Sequence, residues 1–492
     1  MTNTNYLESR GSRRALSNLL PATITLIALS ISSVSGAQYH DSVERLIVHA
    51  GPEILIDKVR VIDGTGAPAM EAASLLLKDG LIVGVGPSGT LASETATVID
   101  GTGKTVLPGY VMLHEHLVYL NPTARPQAYT TEHIPMPPLY LAAGSTTIRT
   151  GGTFDGDADL RARALIEEGR IAGPDLHITA PFIEGPGSFS YQMREMTDPE
   201  EARQFVRYWV RAGATSFKAY MNVSLAVLGA AIDEAHKLGA QVTGHLCSVS
   251  FREAAELGID NLEHGLIDAS DLAADKTEDT CPTMDAEERV RLMDVANPAV
   301  QDLIATLVQE NVTVTSTLPV LAAGLHPAIP TQGAFDLLSP RSRDIAQKRW
   351  IAYLGPERAE QATLWREELR REMAFEKAFV EAGGNLVIGT DPTGWGGTIP
   401  PNSTHAALIL LVEAGFTPLE AISLATLNGA RFLGVEDEVG SIEVGKRANL
   451  ILLDGTPDRT IADVQHVELV FKDGVAFDAD ALIESVRGTV GR

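Results

Sequence analysis

The patterned part of the chain opens on alternating apolar and polar positions. Ile54-Leu55-Ile56-Asp57-Lys58-Val59-Arg60-Val61-Ile62 reads as a strand, and Asp63-Gly64-Thr65-Gly66 as the turn that ends it. Residues 74–86 read as a hairpin turning at Asp79-Gly80. Val98-Ile99 and 104–107 add short strands, so 53–107 form a small, mostly antiparallel β unit. From Pro108 the texture changes to short apolar runs alternating with amphipathic stretches. The runs are 111–113, 146–149, 176–180, 215–220, 241–245, 261–263, 313–317 and 385–389. Eight β runs with helices between them predict an α/β fold, a (β/α)8 TIM barrel over 108–436. The gap 319–384 is too long for one link, and its part 342–382 predicts one or two long helices, as a lid or an oligomer surface. β texture returns at 440–442, 449–453, 467–472 and Val475. Residues 437–482 are therefore expected to rejoin 53–107 in a small β-sandwich domain built from both chain ends.

The N-terminus reads as an address. Arg10, Arg13 and Arg14 precede a mostly apolar stretch, 19–31, and Ser35-Gly36-Ala37 supplies a small-x-small cleavage pattern. That order predicts a secretory signal peptide over 1–37, hence an exported protein, periplasmic or extracellular. The apolar stretch is too short to span a bilayer, so no stable membrane insertion is expected after processing.

Charge narrows the partners. Lys and Arg total 39 against 64 Asp and Glu, a net charge of −25 that repels phosphate and argues against nucleic-acid binding. Two cysteines exclude a disulfide scaffold. Cys247 lies two residues past His245, among candidate site residues, which argues against a bridge to Cys281, although export would permit one.

The candidate chemistry sits at the ends of the predicted barrel strands. His114 and His116 follow the first run, and residues i and i+2 on a strand point the same way. His245 ends the fifth run, His264 the sixth, and Asp391 the eighth; Lys218 sits inside the fourth, where an unpaired inward ammonium is costly. Alone, each has an ordinary structural explanation. Together they point at one barrel mouth, and imidazole with carboxylate suits Zn²⁺, as well as Mn, Fe or Co.

With these residues in view, the sequence resembles the amidohydrolase superfamily over nearly all of the chain past residue 37. Residues 106–116, Val-Leu-Pro-Gly-Tyr-Val-Met-Leu-His-Glu-His, resemble its first-strand signature, with Met112 where Asp is frequent. Ser216-Phe217-Lys218 resembles the hydantoinase and dihydroorotase segment that carries a carboxylated lysine. Asn261-Leu262-Glu263-His264-Gly265, Gly389-Thr390-Asp391 and 440–450 resemble imidazolonepropionase-like and Xaa-Pro dipeptidase relatives. The resemblance implies two divalent ions, most simply zinc. One would take His114, His116 and Asp391, the other His245 and His264, with carbamylated Lys218 bridging them. It also implies a metal-bridging hydroxide as nucleophile, with Asp391 and Lys218 in the catalytic set and Asp391 as general base and acid. The substrate would be a small amide: a dipeptide, an N-acyl amino acid or a cyclic amide.

Further substrate contacts are expected from Arg149, which closes the second run and either meets a substrate carboxylate or sits in an ion pair. Tyr220, two residues past Lys218, is a candidate oxyanion donor or a core tyrosine. His405 either binds substrate or caps its helix, and Tyr191 and Trp395 are loop candidates for the pocket wall. The chain is expected to form a homo-oligomer. Two other readings compete: a mononuclear deaminase or imidazolonase-type hydrolase with no need of Lys218, and a catalytically silent binding protein on the same fold.

Overall fold

The structure is a computed structural model that describes residues 39–492 except 122–123, 125–126, 327–328, 330–331, 354 and 395–396. The segment 1–37, expected as a signal peptide, and Trp395 therefore lie outside the described residues.

The two chain ends share one mixed sheet of nine strands. Its N-terminal members are β1 (Ile47–His49), β2 (Glu53–Val61), β3 (Met70–Lys78), β4 (Leu81–Pro87), β5 (Thr97–Asp100) and β6 (Lys104–Pro108). The β3–β4 hairpin turns at Asp79-Gly80, both at positive φ (51° and 83°), as a tight two-residue turn requires. Its C-terminal members are β17 (Leu450–Asp454), β18 (Val467–Lys472) and β19 (Val475–Asp478). The ends meet where β17 runs antiparallel to β6, with Leu450 opposite Pro108. Residues 440–442, expected as strand, are a bend: Gly440 takes φ 90°, and the Ile442 N–H donates to the Asp63 carbonyl, outside any ladder.

Between these ends lie eight parallel strands, each on one of the eight predicted runs. They are β7 (Tyr110–Glu115), β10 (Ser145–Thr150), β11 (Asp175–His177), β12 (Ser216–Ala219), β13 (Gln241–Gly244), β14 (Asn261–Glu263), β15 (Thr313–Ser316) and β16 (Leu386–Ile388). A small hairpin, β8 (Val118–Leu120) with β9 (Tyr129–Thr131), follows β7. The ladder β7-β10-β11 connects to β12-β13-β14-β15-β16 through bridges Thr179–Ser216 and Ile183–Ala219. At the other side, the Thr390 and Asp391 N–H groups, just past β16, donate to the His114 carbonyl on β7 (3.2 and 3.0 Å). Gly389 makes that approach possible, because a Cβ there would collide with the backbone of His114. The arrangement is a TIM-barrel-like α/β fold.

The connecting helices carry ordinary start and stop signals. Pro199–Ala212 begins at an Asp198 cap and ends at Gly213 with φ 109°; Phe251–Glu256 opens with a Ser250–Glu253 capping box. The long insertion contributes helices Pro340–Tyr353 and Ala359–Glu381. The second is a wall of the core, with Phe375 and Phe379 fully buried, and it meets the loop after β14 directly. Among the described residues no helix is long and apolar enough to cross a membrane.

Cys247 and Cys281 form a disulfide with Cα atoms 4.8 Å apart, contrary to the sequence expectation. Nearness to the histidines had argued for a free thiol, yet Cys247 lies past the end of β13, where the returning segment can reach it. The bridge closes a loop of sequence separation 34, for which chain entropy gives about 3–4 kcal/mol of stabilisation. Cys281→Ser is expected to accelerate amide hydrogen exchange across 265–280 by roughly 100-fold, read by mass spectrometry. Unchanged exchange there would count against the bridge.

Candidate metal centre

β7 delivers the first pair of imidazoles. Its six residues are all buried, with Val111 and Leu113 packed against Val387 and Ala430. His114 and His116 leave the opposite face with rings 5.2 Å apart. His114 Nδ1–H donates to the Glu263 carboxylate (2.7 Å), and His116 Nδ1–H donates to the Gly152 carbonyl (3.0 Å). Both acceptors lack a hydrogen, so the Nε2 lone pairs are left facing the mouth. Asp391 Oδ1 lies there, 3.1 Å from His116 Nε2 and 3.7 Å from His114 Nε2. These three residues form one cluster able to hold a metal ion.

The second cluster is His245, His264 and Asp268. The His264 and His245 ring centroids are 4.7 Å apart, and the His264 and His114 centroids 4.6 Å. His264 Nδ1 is hydrogen-bonded to Thr317 Oγ1 (2.8 Å). Both His264 (φ 66°) and Asp391 (φ 48°) are non-glycine residues in the left-handed region, strain of the kind that collects at functional sites.

Lys218 stands between the clusters, 2% exposed, with Nζ 3.0 Å from His114 Nε2. Its Nζ is 5.9 and 5.8 Å from the ring centres of Phe182 and Tyr220. Burial lowers its pKa. Burial, and then the Lys218 charge, push His114 down to about 4 and His245 to about 3. Neutral imidazoles at pH 7 are the form that ligates metal. The donor set therefore suits divalent ions: bare imidazole nitrogens, carboxylates, and two buried polar atoms, His245 Nδ1 and Asp268 Oδ2, with no hydrogen-bond partner.

The outer candidates divide. Arg149, 1% exposed, belongs to a structural network rather than to substrate. Its Nε donates to the Leu113 carbonyl (2.7 Å), and its Nη2 to Glu263 Oε1 (2.6 Å) and Asn261 Oδ1 (3.2 Å). His405 neither caps its helix nor reaches the mouth: its Nε2 donates to the Ala143 carbonyl (3.1 Å), at the opposite, N-terminal end of β10. Burial pushes its pKa down to about 4, and its place at that end of the strands sets it apart from the two clusters. Tyr220 stacks on His245 (centroids 4.5 Å, planes 19° apart) and stays near the clusters. Tyr191, 72% exposed, lines a surface cavity of about 500 Å³ with Tyr129 and Phe154.

Several residues of the site escaped sequence reasoning. Glu263, fully buried, pins His114, Arg149 and the Thr243 hydroxyl (2.6 Å). Glu115 accepts from Thr390 Oγ1 (2.7 Å), and burial pushes its pKa up to about 8. Asp268 follows His264 by four residues on a short 3₁₀ turn, Gly265–Asp268, where no strand or helix period marks it. Only its charge inside an otherwise apolar Gly265-Leu266-Ile267-Asp268 segment could have flagged it.

Comparison with known proteins gives the family of the chain. The model of the amidohydrolase family matches residues 105–476. The chain is 24% identical over 431 residues to an imidazolonepropionase of Mycolicibacterium smegmatis, covering 87% of this chain and 94% of that protein. It is 24% identical over 419 residues to an imidazolonepropionase of a Geobacillus species, covering 78% and 84%. Among solved structures it is similar to a Xaa-Pro dipeptidase with bound methionine, with TM-score 0.63, 20% identity and 87% and 100% coverage. It is also similar to the bottromycin amidohydrolase, with TM-score 0.66, 22% identity and 90% of each chain covered. With this match over most of its length, on a TIM-barrel-like fold carrying paired histidine–aspartate clusters, the chain belongs to the amidohydrolase family and is a hydrolase of carbon–nitrogen bonds.

Proposed function

We propose that the protein is an exported, binuclear metal-dependent hydrolase of a small amide: a dipeptide, an N-acyl amino acid or a cyclic amide. The observation that carries this reading is the His114–His116–Asp391 cluster beside the His245–His264 imidazole pair, with Lys218 Nζ 3.0 Å from His114 Nε2. Divalent ions held there, most simply zinc, supply Lewis acidity that lowers the pKa of water and polarises a carbonyl. Asp391, beside both first-strand histidines, takes the proton of water and passes it to the leaving nitrogen. Tyr220 and Tyr191 face the substrate. In the finer fold reading, the eight strands close into a (β/α)8 barrel over 108–436. The strands of 53–107 and 437–482 then fold over as a β-sandwich around Ile56, Leu75, Val106 and Leu452, all fully buried. The Cys247–Cys281 bridge supports export, because disulfides persist in oxidising compartments. Amino-terminal sequencing of the exported protein should then begin at or near Gln38.

Lys218 serves as a carbamate in this reading. Among the described residues no carboxylate lies within ion-pair distance of its Nζ, and its near polar neighbour is the neutral His114. An ammonium about 4 Å from a divalent ion is repelled by ~8 kcal/mol at an effective dielectric near 20. A carbamate reverses that sign and offers one oxygen to each side.

Two predictions follow from the paired clusters. Chelation should abolish hydrolysis of the best substrate in a screen of dipeptides, N-acyl amino acids and lactams, and two divalent ions per chain should restore it. One ion per chain with full activity would instead favour the mononuclear reading that the imidazolonepropionase relatives suggest. Lys218→Ala should lose one of the two ions and at least about 100-fold in turnover, with part of both regained on adding a short carboxylic acid. Two ions and near-normal turnover in that variant would end the carbamate reading.

A further inference from the structure

We propose that Asp268 is a protein ligand of the second divalent ion, completing a His245–His264–Asp268 set. The inference rests on the binuclear reading and adds to it a carboxylate that the family resemblance does not supply. That resemblance gives the second ion only His245, His264 and an oxygen on Lys218.

Three observations point the same way. The first is unmet polarity. Asp268 Oδ2 and His245 Nδ1 are buried, have no hydrogen-bond partner, and face each other at 3.5 Å. That distance is too long for a hydrogen bond between them. An acceptor oxygen and a ring nitrogen left orphaned side by side are groups that a shared cation satisfies at once. Among the described residues no arginine or lysine takes that role: nearby Arg289 pairs with Glu368 at 2.8 Å, and the Lys218 Nζ is on His114.

The second observation is presentation. Asp268 ends the 3₁₀ turn that springs from His264. The Leu266 and Ile267 N–H groups of that turn donate to the Glu372 carboxylate of the long insertion helix (3.1 and 3.0 Å). Gly265, at φ 67°, lets the turn lie against Glu372, since a Cβ there would collide with the carboxylate. The turn is thus anchored to the insertion helix through its backbone, which fixes where Asp268 leaves the chain.

The third observation is covalent. The Cys247–Cys281 bridge closes a ring that starts two residues after His245 and contains both His264 and Asp268. All three members of the set are therefore within or beside one closed loop. Chain flexibility costs the ion little when the donors already lie within 4.8 Å of one another.

The test is metal affinity. Wild-type protein and Asp268→Asn, which preserves shape, are titrated with Zn²⁺ against a competing chelator, and bound metal is counted. Cobalt substitution with visible absorption follows the two sites separately. The expected result is an unchanged first ion and a second ion bound on the order of 100-fold more weakly, with an altered cobalt spectrum for that site alone. Two ions at wild-type affinity in Asp268→Asn would overturn the proposal, including the case in which only KM rises and Asp268 meets substrate instead. Loss of both ions together would also overturn it, by making Asp268 a support of the whole fold. If wild-type protein itself holds one ion, the binuclear reading fails first and this inference with it.

Discussion

A single buried carboxylate sets the geometry on which the site depends. Glu263 has no exposed surface, and burial alone would keep it protonated; the hydrogen bond from His114 and the charges of Arg149 and Lys218 outweigh that and hold it well below the ordinary carboxylate range. An ionised carboxylate only accepts, so His114 must carry its proton on Nδ1 and leave Nε2 bare. The same carboxylate accounts for Arg149, whose guanidinium reaches across to it from β10, and for the Thr243 hydroxyl on β13. Four strands, β7, β10, β13 and β14, are tied through one residue. Removing Glu263 would strand Arg149 as a buried cation and free the His114 ring at once.

What the sequence made legible follows from periodicity. Buried parallel strands are short apolar runs, and the eight runs and the i, i+2 histidine pair could be read directly. Glu263 and His264 show where periodicity misleads. Strict alternation puts neighbours on opposite faces, but His264 leaves the strand at φ 66°, and its ring centroid comes to 4.6 Å from that of His114, which Glu263 holds from beneath. Arg149 and His405 were open questions because a charged or imidazole group near a strand end has two possible directions. Only three-dimensional partners, Glu263 and the Ala143 carbonyl, decide between them. The disulfide was illegible for a similar reason: spacing along the chain does not say which loops return to the same place.

The two left-handed residues at the site are each held by fixed hydrogen-bond partners. The Asp391 N–H reaches the His114 carbonyl, and Gly389 makes room for that crossing. His264 is fixed by Thr317 on one side and by the Glu372-anchored turn on the other. Each left-handed residue costs of order 1–3 kcal/mol, which a well-packed surround can offset. The insertion helix Ala359–Glu381 is thus part of the support for the second cluster, and a change in that helix is felt at His264 before it is felt at the surface.

Charge balance explains why the proposed set needs both Lys218 as a carbamate and Asp268. Glu263 and Arg149 neutralise each other beneath the site. Without the carbamate and Asp268, a pair of divalent ions above them would face Asp391 as the one remaining carboxylate of the set, with four imidazole rings and a buried ammonium; such an excess of positive charge is costly away from water. Converting Lys218 to a carbamate removes one positive charge and adds one negative. Asp268 adds another. On the proposed set, three protein anions would stand against two divalent ions, leaving a single positive unit that a nucleophilic hydroxide would balance. A lysine left as ammonium would leave three positive units in its place, so the charge of the site and the chemistry of Lys218 are one question.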